Sequence, residues 1–137
     1  MNALDDLSGT LVLVHPALPV DPAGQQNQIG MITSADTGHD DFFVTFGKGA
    51  PALYSADALL VLKPSNDIHQ SALDNHLQLD VADFKSLLSM AMLRQSGKYT
   101  DVRKALEMVM SNNRLIAHAT VPLDEALDLK QVQILQR

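Results

Sequence analysis

Apolar and polar positions change their spacing about halfway along this chain. In the first half, short β-type runs are separated by polar turns. Thr10–His15 (TLVLVH) is almost wholly apolar, as a strand covered on both faces would be. Pro16, Pro19, Pro22 and Gly24 then enforce a long loop, because proline fixes φ and lacks an N–H. Gln28–Ser34 is a second strand with Gly30 inside it, where a bulge or close backbone approach is the usual reason. Phe42–Phe46 alternates, with Phe42, Val44 and Phe46 on one face and Phe43 and Thr45 on the other. Gly47-Lys48-Gly49 makes a tight turn, Leu53-Tyr54 a short strand, Ser55-Ala56-Asp57 a 3₁₀ turn and Leu59–Leu62 a last strand.

The spacing then becomes helical. Asn66 or Asp67 can cap a short helix through about Asn75. Asp80 caps a longer one over Val81–Ser96, with Val81, Phe84, Leu87, Leu88, Ala91 and Met92 on its apolar stripe and Gly97 just past its end. Met90 and Leu93 widen that stripe and predict burial on more than one side. Thr100 opens a second helix over Asp101–Asn112, with Val102, Ala105, Leu106, Val109 and Met110 inward. The link between them is short, which predicts an antiparallel hairpin. Thr120 and Pro122 can open a short helix through Leu129, and Gln131–Leu135 alternates like an edge strand.

The run GMITSAD…DFFVTFGKG…LYSADALLVL, with its order of strand, long loop, strand, hairpin, strand, turn, strand, 3₁₀ turn and strand, resembles the SH3-like β-barrel superfold, KOW-type and Tudor-type members included. The resemblance covers about residues 10–63. It implies an α+β protein with a five-stranded barrel over residues 1–65, followed by a helical hairpin region with a short tail over 66–137. It implies no single activity, since such barrels host many. The basic residues of a KOW-type nucleic-acid binder are missing around Gly30. Only Phe42, Phe43, Phe46 and Tyr54 are available for a Tudor-type aromatic cage.

Charge narrows the function classes. The net charge is −6, and residues 1–65 carry seven acids against two bases. Steering toward nucleic acid or an anionic membrane is therefore disfavoured. Cysteine is absent, which excludes disulfides, thiolate nucleophiles and Cys-based zinc sites and fits a reducing cytoplasm. Asp5 and Asp6 stand where a signal peptide would be basic, and the apolar runs are far too short to span a bilayer.

Candidate chemistry is sparse. His39-Asp40-Asp41 beside Asp36 reads as a solvated hairpin tip before it reads as a cation site. His69 and His76 are two helical turns apart, too far to share a zinc. No serine sits in a G-x-S-x-G elbow, and Gly47-Lys48-Gly49 lacks the rest of a phosphate loop. Arg94, Lys98, Arg103 and Lys104 gather around the helix–helix turn with Tyr99 among them. Met90, Met92, Met108 and Met110 are placed symmetrically on the two helices, and methionine suits adaptable binding surfaces. These residues make Met90, Leu93, Met108, Arg94, Lys98, Tyr99, Arg103 and Lys104 the candidate partner surface. The expectation is a non-catalytic, cytoplasmic protein-binding or regulatory module without metal or cofactor. It would bind a protein partner or a second copy of itself as a dimer through Met90 and Leu93. The alternative is a nucleic-acid-associated accessory factor using the Arg94–Lys104 patch.

Overall fold

Strand formation follows the apolar runs closely. The computed structural model describes residues 7–19, 21, 23–47 and 49–127. Its strands are β1 (Leu11–Val14), β2 (Ile29–Asp36), β3 (Asp41–Thr45), β4 (Ala52–Tyr54), β5 (Leu59–Leu62) and β6 (Thr120–Pro122). They form one open antiparallel sheet in the order β4-β3-β2-β1-β5-β6. The expected five-stranded SH3-like barrel is therefore not formed. Closure requires the two outer strands to meet, and here β4 pairs only with β3 while β6 lies beyond β5. β4 and β6 have three residues each, too few to curl a sheet onto itself. β6 escapes a sequence reading because it is so short and ends in proline.

The chain divides into two compact units, one made of Met1–Val61 with Pro122–Arg137 and the other of Leu62–Val121. This differs from a simple division near residue 65, because the chain returns to the first unit after the helices. In that unit the β-strand alternation buries Val12, Val14, Ile32, Phe42, Val44 and Leu59 in one cluster. Leu7 and Leu123 complete it, the latter from residues 123–127, which are helical, whereas Thr120 and Pro122, expected to open that helix, belong to β6. The strand proposed for Gln131–Leu135 lies outside the described residues. Gly30 sits opposite Val12, and a Cβ there would fall 2.4 Å from Val44 Cγ1. Close approach of neighbouring side chains, rather than a special φ, is what requires glycine.

Two carboxylates clasp the loops of this unit. Asp21 accepts hydrogen bonds from the backbone N–H of Ala23 (3.0 Å) and Gln25 (2.8 Å), and from the Tyr54 hydroxyl at 3.0 Å to each oxygen. The proline-rich loop is thereby tied to β4. Burial pushes the Tyr54 phenol up, and the bond to Asp21 adds to the shift. Asp40, left-handed at φ 55°, accepts from the N–H of Ala56 at 2.9 Å, joining the β2–β3 turn to the 3₁₀ turn Ala56–Ala58.

The second unit contains α1 (Ser65–Asp74), α2 (Val81–Ser96), α3 (Tyr99–Ser111) and α4 (Ile116–Ala119). Asp80 caps α2 by accepting from the N–H of Asp83 at 2.8 Å, and Gly97 ends it in the left-handed region. α3 begins one residue before Thr100, without a side-chain cap. Ser65 donates to the Ala91 carbonyl at 2.7 Å, fixing the start of α1 against α2. The core is formed by Ile68, Ala72, Leu87, Met90, Ala105, Leu106 and Val109.

The phase of α2 differs from the expectation. Its buried positions are Asp83, Leu87, Met90 and Ala91, spaced i, i+4, i+7 and i+8. Val81 and Met92, expected inside, are exposed, whereas Met90, expected off the stripe, is 0% exposed. Ranking positions by apolarity alone gave the wrong rotation, because the inner stripe begins with a carboxylate.

Candidate functional site

Asp83 is the one charged side chain buried among the described residues, at 6% exposure. A buried carboxylate needs partners, since its desolvation is otherwise prohibitive. It has three contacts. Arg114 donates from Nε at 3.0 Å and from Nη2 at 3.3 Å, and Asn112 Nδ2 donates at 2.8 Å. Asn112 also accepts from the Arg114 N–H at 3.2 Å, capping the 3₁₀ turn Asn113–Leu115. The network thus pins the end of α3 to the start of α2.

The Arg114 hydrogen bonds hold the Asp83 carboxyl below the usual carboxylate range, with Asn112 assisting and burial opposing. A native pKa below the unfolded value gives stability that is present above the ordinary value of 3.8 and is lost as pH falls through the depressed one. Asp83→Asn is therefore expected to melt at lower temperature than the wild type at neutral pH. The gap should close in acid, below the ordinary carboxylate value. Melting curves over a pH series check this, and a gap that persists in strong acid would contradict it.

Beside this network lies a groove of about 370 Å³ between α2 and α3, lined by Ser86, Lys104, Glu107, Met108, Ser111, Asn112 and Leu115. Leu115 is buried and Met108 half-buried, while Lys104, Glu107 and Ser111 are exposed. The groove thus has an apolar floor with donors, acceptors and both signs of charge around it. Asn112 belongs to both features, so the Asp83 network positions one wall.

Of the candidate partner surface, the groove brings together Lys104 and Met108. Met90 is in the core and takes no part in any surface, which corrects its assignment as an exposed or dimer-facing residue. Leu93 and Arg94 are half-buried on α2, and Lys98 and Tyr99 are exposed at the α2–α3 turn. Arg103 lies 3.8 Å from Glu107, and Asp101 accepts from Ser96 at 2.7 Å within the same turn. The basic residues are thus interleaved with carboxylates.

In the sequence Asp83 stands 29 and 31 residues before Asn112 and Arg114, and no motif links the three. The only available signal was an aspartate four residues before Leu87 on a helix. Elsewhere, His39 Nδ1 bonds Asp36 at 2.7 Å on the exposed hairpin; that bond lowers the pKa of Asp36 and raises that of His39. Ser71 meets His118 Nδ1 at 3.0 Å. Among the described residues no group of three or more His, Asp or Glu side chains converges to hold a metal ion, and no helix is long and apolar enough to cross a membrane. The chain matches no protein-family model, no curated protein and no solved structure.

Proposed function

We propose that the protein is a non-catalytic, cytoplasmic protein-binding module. Its helical groove takes a short segment of a partner that inserts one apolar side chain. The observation that carries this reading is the composition of the groove, with Leu115 and Met108 beneath a ring of Ser86, Lys104, Glu107, Ser111 and Asn112. Partner recognition commonly combines an apolar anchor pocket with a polar rim. The rim carries one cation and one anion, so it suits a peptide backbone better than a polyphosphate. The nucleic-acid reading draws less support, because Asp101 and Glu107 stand among the bases it would use.

The test is a photo-crosslinking residue at Met108, with one at exposed Lys85 as control. The expected result is a discrete protein adduct at Met108 that is absent at Lys85. With that partner purified, Ser111→Arg should weaken binding about tenfold or more, a loss of roughly 1.4 kcal/mol or more, while leaving the melting temperature in place. Adducts identical at the two positions would overturn the proposal, as would polynucleotide binding that Ser111→Arg abolishes.

A further inference from the structure

The first unit has an exposed edge whose chemistry is distinct from that of the groove. β4 ends the sheet, and among the described residues no other strand pairs with the outer side of its backbone, which can therefore accept one. Leu53, in its centre, is 56% exposed and lies directly opposite Phe43 on β3, which is 36% exposed. The period of two places Asp41, Phe43 and Thr45 on the same outer face. The edge thus presents an apolar pair with a carboxylate two residues away.

That end of β4 is crowded with negative charge. Asp41 pairs with Asp36 across β2 and β3, and like charges directly opposite are destabilising. His39 answers Asp36, but no hydrogen bond reaches the Asp41 carboxylate among the described residues. Continuing the β3–β4 register by one residue sets Asp41 across from Ser55, whose hydroxyl donates to Asp57. The described residues of this unit carry seven carboxylates, five within 7–61 and two within 122–127, and no Lys or Arg. Among the described residues of the unit, the base beside these carboxylates is His39, which bonds Asp36 and is attracted by Asp41.

We infer that β4 is a docking edge for an extended, basic segment of a protein partner, which adds a strand beside Ala52–Tyr54. One apolar side chain of the segment packs beside Leu53 and Phe43. A Lys or Arg two residues along reaches toward Asp41 and Asp57 past the small Ser55. This occupant answers both unfavourable features at once, covering the apolar pair and neutralising the carboxylates. It uses strand addition, in which backbone pairing gives affinity and alternate side chains give specificity. The inference does not rest on the helical groove.

The probe is a short synthetic peptide in which Val and Lys or Arg alternate along one strand face, two residues apart, with Thr between them. Its control carries the same charge but has proline in place of the threonines. Binding is followed by fluorescence anisotropy and by amide chemical shifts. The alternating peptide is expected to bind, with shift changes centred on residues 42–46 and 52–55, and the proline control to bind at least tenfold more weakly. Leu53→Glu makes the decisive variant, because it adds negative charge. Tenfold weaker binding supports edge docking, whereas equal or tighter binding shows attraction by net charge alone and overturns it. Asp41→Asn, a surface change, should weaken binding severalfold and flatten its salt dependence; no change would count against the charge part of the argument and overturn it. Ser111→Arg should leave this binding intact, and loss with that variant would also overturn it. Light scattering supplies the remaining outcome. A dimer that Leu53→Glu dissociates would assign the edge to a second copy instead.

Discussion

Leu87→Ala is expected to destabilise the protein by about 3 kcal/mol, and Leu88→Ala by roughly 1 kcal/mol or less. The two residues are neighbours with the same side chain, so the contrast isolates the rotation of α2. Leu87 is fully buried and Leu88 only half so. Truncating Leu87 removes transfer free energy and leaves a cavity in the buried interior of the helical unit, which relaxes incompletely. Leu88 has solvent on one side, which fills the space at little cost. Urea melts of the two variants read the difference directly. Equal losses, or a larger loss at Leu88, would show that the inner stripe runs through Phe84 and Leu88 rather than Asp83 and Leu87.

Gly30→Ala carries the second large effect, an expected loss of about 1–3 kcal/mol. Replacing glycine normally stabilises by up to about 1 kcal/mol through the unfolded chain when the backbone tolerates it. Sterics oppose that gain here. The new methyl would meet Val44 Cγ1 at 2.4 Å and two Phe46 ring atoms at 2.8 and 2.9 Å. Val44 is fully buried and β-branched, so it has no free rotamer to retreat to. Phe46 is held edge-on against Tyr54, with ring centroids 6.3 Å apart. A strand must shift, or the core must loosen. In a Val44→Ala background the same substitution should cost at least about 1 kcal/mol less, the signature of two sites sharing one volume. Additive losses would mean that the clash is not the cause.

Local rules made the individual elements legible. Alternation at Phe42–Phe46 located β3, the Tyr-Ser-Ala-Asp step located the 3₁₀ turn between β4 and β5, and Asp80 and Gly97 bounded α2. What failed was information carried by distant partners. Barrel closure depends on whether the outer strands meet, and β6 comes from residues 120–122, more than 50 positions after β5. The rotation of α2 depends on Arg114 and Asn112, which make Asp83 tolerable inside. Without them, an aspartate on an inner stripe reads as an error, and the neighbouring apolar residues are chosen instead. The groove inherits the same difficulty, since Ser86 and Leu115 meet only after α2 and α3 have packed. Lys104 and Met108 carry a local signal in charge and polarizability, while Asn112 carries none.

The helical unit is an insertion within the sheet unit, and this orders events as the chain emerges during synthesis. Residues 62–121 are contiguous, and their two ends are already joined, Lys63 N–H donating to the Ala119 carbonyl at 2.9 Å. The sheet unit, although it starts first, lacks Leu123 until the chain beyond the helical unit has been made. The second unit to begin is therefore the first to hold all its own core residues, and the early strands must wait with Phe42, Ile32 and Val44 incompletely covered. A nascent chain from which residues 62–121 have emerged, but not residues 122–127, would carry a finished helical unit on an unfinished sheet. The same paired ends make residues 62–121 the natural segment to exchange for a short linker when the two units are to be separated.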